Sequence, residues 1–177
     1  MRYDTLIRQA LIIDGSNTPG YVADVGLRDG RIETIGDLSN AQAEHEIDAS
    51  GRVLAPGFID VHTHDDTVVI RHPQMLPKLS QGVTTVIVGN CGISASPVSL
   101  RSDPPDPMNL LGTREAFTYP RFADYCAAVE GAYPAVNVAA LIGRTALRSN
   151  HMDDLHRTAC TYEIAAMRVQ LQESLDA

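Results

Sequence analysis

The sequence predicts an α/β fold with parallel strands, preceded by several short antiparallel strands. A dense β-branched run, VTTVIV at residues 83–88, is typical of a strand buried on both faces. A second apolar run, FIDV at residues 58–61, precedes it, and the segment between them has helical features. Strand, helix and strand within about 30 residues form a unit whose strands run parallel with a right-handed crossover.

Composition narrows the possible classes of protein. The chain has 177 residues and 44% hydrophobic content, enough for one sizeable core. No run of about 18 apolar residues predicts a membrane span, and the N-terminus does not resemble a signal peptide, so a cytoplasmic location is expected. The net charge of −8 without a basic cluster argues against nucleic acid and anionic membranes as partners. Three irregularly spaced cysteines make a disulfide framework unexpected.

The first 55 residues carry repeated turn signals. Asp29-Gly30 lies between two alternating runs and predicts a hairpin, because both turn residues need a positive φ. Asp14-Gly15 and Gly51 mark further turns. Residues 1–55 are therefore predicted to form several short antiparallel strands, and residues 56–177 the strand–helix units.

The remaining elements follow from local patterns. We expect a short helix over residues 73–81, opened by Pro73 and ended by Gly82. The further predictions are an irregular segment at 93–119, a helix at 122–129, a third buried strand at 136–142, and an amphipathic helix capped by Thr161. The chain stops within that helix, as a truncated one would, and three open strands should expose apolar faces and an unpaired edge.

The stretch PGFIDVHTHDD, residues 56–66, carries the strongest chemical signal. Side chains alternate along a strand, so His62 and His64 point the same way, although two surface histidines would give the same pattern. Cys91 ends the next parallel strand, less than about 5 Å away. A thiolate and two imidazoles suit zinc, whereas a lone cysteine is more often a small buried apolar residue.

Other polar residues are weaker candidates. Asp65 and Asp66 could orient the imidazoles as outer partners of the metal ligands, or form a solvated acidic turn. For seven further residues, the favoured interpretation is a structural or surface role. They are His45, His72, His151, His156, Cys126, Cys160 and Arg148.

Together, PGFIDVHTHDD and QGVTTVIVGNCG resemble the amidohydrolase superfamily, and within it the N-acyl-D-amino acid deacylases. The resemblance implies the N-terminal part of a metal-dependent (β/α)8 (TIM) barrel beside a small β-sandwich, with the barrel incomplete in this chain. It implies zinc as cofactor, with His62, His64 and Cys91 as ligands. The implied reaction is hydrolysis of the amide bond of a small N-acyl-D-amino acid, which releases a carboxylic acid and a D-amino acid.

Two departures from the family pattern qualify the resemblance. Arg144 stands where the family usually has a histidine, and the later barrel strands that supply further zinc ligands are missing. A catalytically inactive truncated fragment is therefore an alternative. Another amidohydrolase that acts on cyclic amides is a second alternative, against which Cys91 counts, because relatives of that kind use a carboxylated lysine.

Overall fold

Residues 2–177 are described by a computed structural model and divide into two compact units. The division falls between Pro56 and Gly57. Within the described residues, no helix has the length and apolar character needed to cross a membrane. The two domain assignments stay predictions: residues 1–55 as part of a β-sandwich, and residues 56–177 as barrel units.

The first unit contains one mixed five-stranded sheet. Its strands are β1 (Arg2–Ile12), β2 (Tyr21–Arg28), β3 (Arg31–Gly36), β4 (Gln42–Asp48) and β5 (Val53–Leu54). Their order is β3-β2-β1-β4, with β5 also paired to β1. The predicted hairpin is confirmed, since β2 and β3 are antiparallel and Asp29 and Gly30 have φ values of 50° and 70°.

The prediction that these strands are all antiparallel is wrong for β4 and β5, which run parallel to β1. Residues 37–41 cross to the far edge of β1 instead of turning back beside β3, so β4 runs in the same direction as β1. Arg8 holds this connection, since its guanidinium donates to the carbonyl oxygens of Leu38 and Ala41 at 2.6 and 3.0 Å.

The second unit contains a parallel sheet with helices between its strands, as the sequence predicts. The strands β6 (Phe58–Asp60), β7 (Val83–Val88) and β8 (Asn137–Ala140) lie in that order. The helices are α1 (Val68–Arg71), α2 (Leu76–Leu79), α3 (Phe122–Ala132), α4 (Arg144–His151) and α5 (Thr161–Leu175). Parallel pairing places the C-terminal ends of all three strands at one edge of the sheet.

The helix predicted over residues 73–81 is shorter, and α1 was not foreseen. Proline lacks an N–H and is tolerated only in the first turn of a helix. The helix therefore begins at Leu76, which places Pro77 in its first turn. It ends at Leu79, earlier than expected, and a turn continues to Gly82, whose φ is +81° and whose N–H donates to the Leu79 carbonyl at 2.9 Å.

Burial in the sheet is one-sided. Val86 and Val88 on β7 are fully buried against Val69 and neighbouring apolar residues. The side chains of the opposite face, Val83, Thr85 and Ile87, are only half-buried, so the prediction that β7 is buried on both faces is wrong. On the edge strand β6, Phe58 is 64% exposed, which agrees with the expected exposure of apolar strand residues.

Two further segments match their predicted positions. Residues 93–119 form an irregular segment with two short 3-10 turns, Met108–Leu111 and Arg114–Ala116. Its apolar side chains pack with Ala146 into a core of their own: Ile93, Val98, Met108, Leu111, Ala116 and Phe117. Helix α5 begins at Thr161, but its cap is Cys160, whose N–H donates to the Glu163 carboxylate at 2.8 Å.

Candidate metal centre

The two histidines of the PGFIDVHTHDD stretch lie beyond the last residue of β6. Their ring centroids are 5.8 Å apart, with the ring planes almost perpendicular. Between them, the N–H of Thr63 donates to the carbonyl of Ile87 at 3.3 Å. This bond continues the pairing of β6 with β7, so the alternation that places His62 and His64 on one side extends past the strand end.

Cys91 reaches the same place from the end of β7. The chain turns sharply there, and Gly89, Cys91 and Gly92 have φ values of +78°, +55° and +75°. A Cβ at position 89 would lie 2.1 Å from the Leu141 carbonyl oxygen, so only glycine fits. The turn carries the Cys91 Sγ to 3.0 Å from the Nε2 of His62.

We call His62, His64 and Cys91 the strand-end triad. Their nitrogen and sulfur atoms all lie within 4.8 Å of one another. Among residues 2–177, this is the only group of three or more histidine, cysteine or acidic side chains arranged in this way. The sequence prediction that these three side chains converge is therefore met in the structure.

The donor atoms of the triad fit a metal ion. The Nδ1 of His64 is buried and has no hydrogen-bond partner in the structure. Leaving a buried polar atom unpaired costs about 1–3 kcal/mol, and coordination of a cation through this nitrogen would remove that cost. Two imidazoles and a thiolate form a donor set that zinc accepts at tetrahedral sites.

Asp65 and Asp66 make contacts different from those predicted. Neither carboxylate has a hydrogen bond to His62 or His64 in the described part of the chain. Asp65 accepts a hydrogen bond from the Thr63 hydroxyl at 2.6 Å and pairs with a lysine ammonium. Both contacts are made by the Oδ2 of Asp65 and tie it to Thr63 and Lys78.

Asp66 acts on the turn that bears Cys91. Its buried carboxylate accepts hydrogen bonds from the N–H groups of Gly89 at 3.3 Å and Ala95 at 3.1 Å, on either side of Cys91. Burial raises the pKa of this carboxyl group. The main chain of Asp66 is fixed as well, because the Tyr125 hydroxyl donates to its carbonyl at 2.9 Å. Asp66 thus joins the segment after His64 to the turn around Cys91.

Sequence reasoning missed two residues beside the triad, Asp60 and Lys78. The ammonium of Lys78 lies 2.6 Å from Asp60 and 3.0 Å from Asp65. Its hydrogen bond holds the pKa of the Asp60 carboxyl below the ordinary value. One signal was present, because Lys78 is the only lysine among the 14 basic residues of the chain.

The remaining histidines have no place in the triad. His151 has its Nε2 2.9 Å from the side-chain oxygen of Gln170. His156 lies exposed in the loop after α4, next to acidic residues that do not converge on it. His45 lies on β4 and His72 ends α1. These positions agree with the structural or surface roles favoured by the sequence.

The other thiols and arginines also have identifiable positions. Cys126 is half-buried in α3, where burial raises its pKa, and Cys160 caps α5. Arg148 donates to the carbonyl oxygens of Leu155 and Arg157 at 2.7 and 2.8 Å. Its guanidinium therefore holds the loop between α4 and α5 and is occupied by main-chain acceptors.

Arg144, the departure from the family pattern, is the first residue of α4 and is exposed. Its backbone N and Cβ both lie 4.0 Å from the point where a Cβ on Gly92 would sit. Its side chain has no hydrogen-bond or ion-pair partner among residues 2–177. The replacement therefore places a free positive charge on the residue that packs beside the Cys91 turn.

Comparison with curated proteins reveals close relatives of the whole described chain. A D-aminoacylase of Alcaligenes xylosoxydans xylosoxydans is 50% identical over 173 residues, which are 98% of this chain and 36% of that protein. An N-acyl-D-glutamate deacylase of the same organism is 43% identical over 179 residues, 99% of this chain and 36% of that protein. The chain thus spans about a third of the length of these relatives.

Solved structures agree. A D-aminoacylase crystal structure superposes with a TM-score of 0.94 at 46% identity, over 98% of this chain and 36% of that one. The N-acyl-D-glutamate deacylase of Bordetella bronchiseptica, complexed with zinc and a phosphonate inhibitor, gives a TM-score of 0.93 at 44% identity, over 100% of this chain and 37% of that one.

These comparisons establish the fold class and the family. The predicted fold, the N-terminal part of a TIM barrel preceded by a small β-domain, is confirmed by superposition on the deacylases. The profile of the amidohydrolase family matches residues 45–176, which contain the complete strand-end triad. The chain therefore belongs to the amidohydrolase family.

Proposed function

We propose that the strand-end triad binds zinc and serves the zinc-dependent hydrolysis of the amide bond of N-acyl-D-amino acids. The observation that carries the proposal is the convergence of His62, His64 and Cys91 on one point at the C-terminal edge of the sheet. In TIM barrels, this edge is where active sites are found. The relatives named D-aminoacylase and N-acyl-D-glutamate deacylase support the substrate class.

The chemistry of the triad supports the cofactor. When bound, zinc supplies Lewis acidity and lowers the pKa of a coordinated water to near 7. The residues of this chain hold the ion: imidazole nitrogens come from His62 and His64, and sulfur comes from Cys91. The turn at Gly89 and the carboxylate of Asp66 fix where that sulfur lies.

The direct test of the cofactor is metal binding by the purified chain. Titration with Co2+ should produce a sulfur-to-metal charge-transfer absorption, and Zn2+ should displace the cobalt. The variant Cys91→Ala should lose the absorption. A wild-type chain without this absorption, or a Cys91→Ala variant that retains it, would contradict the proposed ligand set.

The test of the reaction uses a chimera, because the chain spans about a third of its relatives. Residues 1–177 replace the aligned segment of the Alcaligenes D-aminoacylase, and release of D-amino acid is measured from N-acetyl-D-methionine and N-acetyl-D-glutamate. We expect zinc-dependent release from the D-enantiomers that Cys91→Ala abolishes. Hydrolysis of hydantoins instead would support the cyclic-amide alternative, and zinc binding without any turnover would support the inactive alternative.

A further inference from the structure

Lys78, the single lysine of the chain, contacts the stretch that carries the two histidines. The Nζ of Lys78, on α2, donates to Asp60 at 2.6 Å and to the Thr63 hydroxyl at 3.3 Å. It also pairs with Asp65 at 3.0 Å. An ammonium has three N–H donors, and three oxygen atoms lie within 3.3 Å of this one. The three acceptors alternate with the histidines along residues 60–65.

These contacts fix the main chain on both sides of each imidazole. The second oxygen of Asp60 accepts a hydrogen bond from the N–H of His62 at 3.3 Å. The hydroxyl of Thr63 donates to Asp65 at 2.6 Å and so closes the network on the far side of His64. Beyond Asp60, where β6 ends, the Thr63–Ile87 backbone bond continues the sheet pairing, and the contacts of Lys78 add side-chain restraint to it.

The charge balance makes the lysine essential to the network. Asp60 and Asp65 both lie within 3.0 Å of the same ammonium, and the three side chains are only 19–29% exposed. Burial alone would lower the pKa of Lys78, but the two carboxylates outweigh it and raise the pKa. Without the cation, two half-buried carboxylates would face one another and repel.

We propose that Lys78 is a positioning residue of the metal centre, which holds His62 and His64 in the geometry that a metal ion requires. This inference rests on the proposed metal site, and it names the side-chain contacts that preorganise the site. Outer partners of metal ligands typically change metal affinity by about 10–100-fold when they are removed. Lys78 would act one step further out, on the main chain that carries the ligands.

The test compares Lys78→Met with a matched control. Arg8 is also about 20% exposed and also pairs with two carboxylates, Asp24 and Glu46, but it lies in the first unit. We expect Lys78→Met to weaken Zn2+ binding about 10–100-fold in a chelator competition. Arg8→Met should lower the midpoint of urea unfolding and leave the zinc affinity within about twofold of the wild type.

Cobalt spectra separate positioning from general loss of structure. In Lys78→Met, the absorption bands of bound Co2+ should shift, because the two imidazoles are held less firmly around the ion. The sulfur-to-metal band of Cys91 should persist. If Lys78→Met does not fold, the folded wild-type chain is modified by reductive methylation and tested in place of that variant. Dimethylation keeps the charge but leaves a single N–H donor. Lys78→Arg, methylated only at the N-terminal amine, is the control.

The outcomes distinguish this inference from the proposed function. Wild-type zinc binding together with unchanged affinity in Lys78→Met, or after complete methylation, would overturn the role of Lys78 and leave the metal site standing. A wild-type chain that binds no zinc would overturn both. Equal losses of zinc affinity in Lys78→Met and Arg8→Met would show a general effect of stability and would also overturn the positioning role.

Discussion

Two regions of the chain carry histidines near acidic residues, and only one of them forms a cluster. In the strand-end triad, His62 and His64 meet Cys91 within 4.8 Å. In the C-terminal helical segment, residues 144–175, His151 and His156 also lie near aspartates in sequence. His151 instead binds Gln170, and the N–H of His156 binds the Asp154 carboxylate at 2.8 Å as part of a loop.

The difference teaches that spacing along the chain is a weak guide to a metal site, whereas the supporting element is a strong one. Parallel strands deliver the residues that follow them to one edge of a sheet, so ligands distant in sequence converge. Helix α4 and the loop after it have no such common end. Their polar groups are satisfied by neighbours within a few residues or on α5.

The largest expected effect is a contrast in zinc affinity between two variants, each of which removes one histidine from one of the two regions. His62→Ala should weaken zinc binding by more than the ~10–100-fold that loss of an outer partner causes, because a ligand itself is lost. His151→Ala should leave zinc affinity unchanged. Isothermal titration of both variants measures the contrast, and a comparable loss in His151→Ala would remove the distinction between the two regions.

A smaller effect is expected from the turn that brings Cys91 to the histidines. Gly92→Ala should cost about 1–2 kcal/mol for its positive φ alone, since a Cβ there has no neighbour closer than 3.8 Å. Gly89→Ala carries the same penalty plus a backbone overlap, and should cost about 1–3 kcal/mol more. Urea unfolding measures both variants. Equal destabilisation would mean that the close approach to Leu141 is not constraining.

The C-terminal helical segment should contribute less to the stability of the fold at acid pH. Arg157 hydrogen-bonds the Glu163 carboxylate and lowers its pKa from 4.5 to about 2. A carboxyl group with a lowered folded-state pKa stabilises the fold above its unfolded pKa. This contribution is therefore lost as the pH falls from about 4.5 toward 2. Between pH 6 and pH 3, Glu163→Gln should lose less stability than the wild type in urea unfolding, and a parallel loss would contradict the assignment.

The smallest expected effect concerns the contact that occupies His151. Gln170→Ala removes its hydrogen-bond partner and should cost about 1 kcal/mol, with no change in zinc affinity. Thermal unfolding and zinc titration of the same sample measure the two quantities. A gain of zinc binding at the freed imidazole would show that Gln170 alone had kept this histidine from acting as a ligand.

Local patterns predicted most of the elements. The VTTVIV run corresponds to the strand Val83–Val88, and the tail helix begins at Thr161 as expected. The two failures that concern the sheets have a common cause, since they depend on relations between distant segments. The parallel pairing of β4 with β1 depends on where residues 37–41 cross, and one-sided burial of β7 depends on which helices cover it.

The candidate site divides in the same way. The alternation of His62 and His64 and the position of Cys91 after a buried strand were sufficient to predict their convergence. The partners of Asp65 and Asp66 were not predictable, because the lysine ammonium and the Gly89 and Ala95 N–H groups come from other segments. Competition among nearby hydrogen-bond donors is decided only when all of them are in place.

The amino-acid sequence by itself determined which residues could bind a metal and at which strand ends they would lie, because strand periodicity and glycine turns are local properties. Only the tertiary structure decided how those residues are held. The ammonium of Lys78 and the carboxylate of Asp66 each join segments far apart in the chain. Such contacts follow from packing and charge in three dimensions, and no local pattern encodes them.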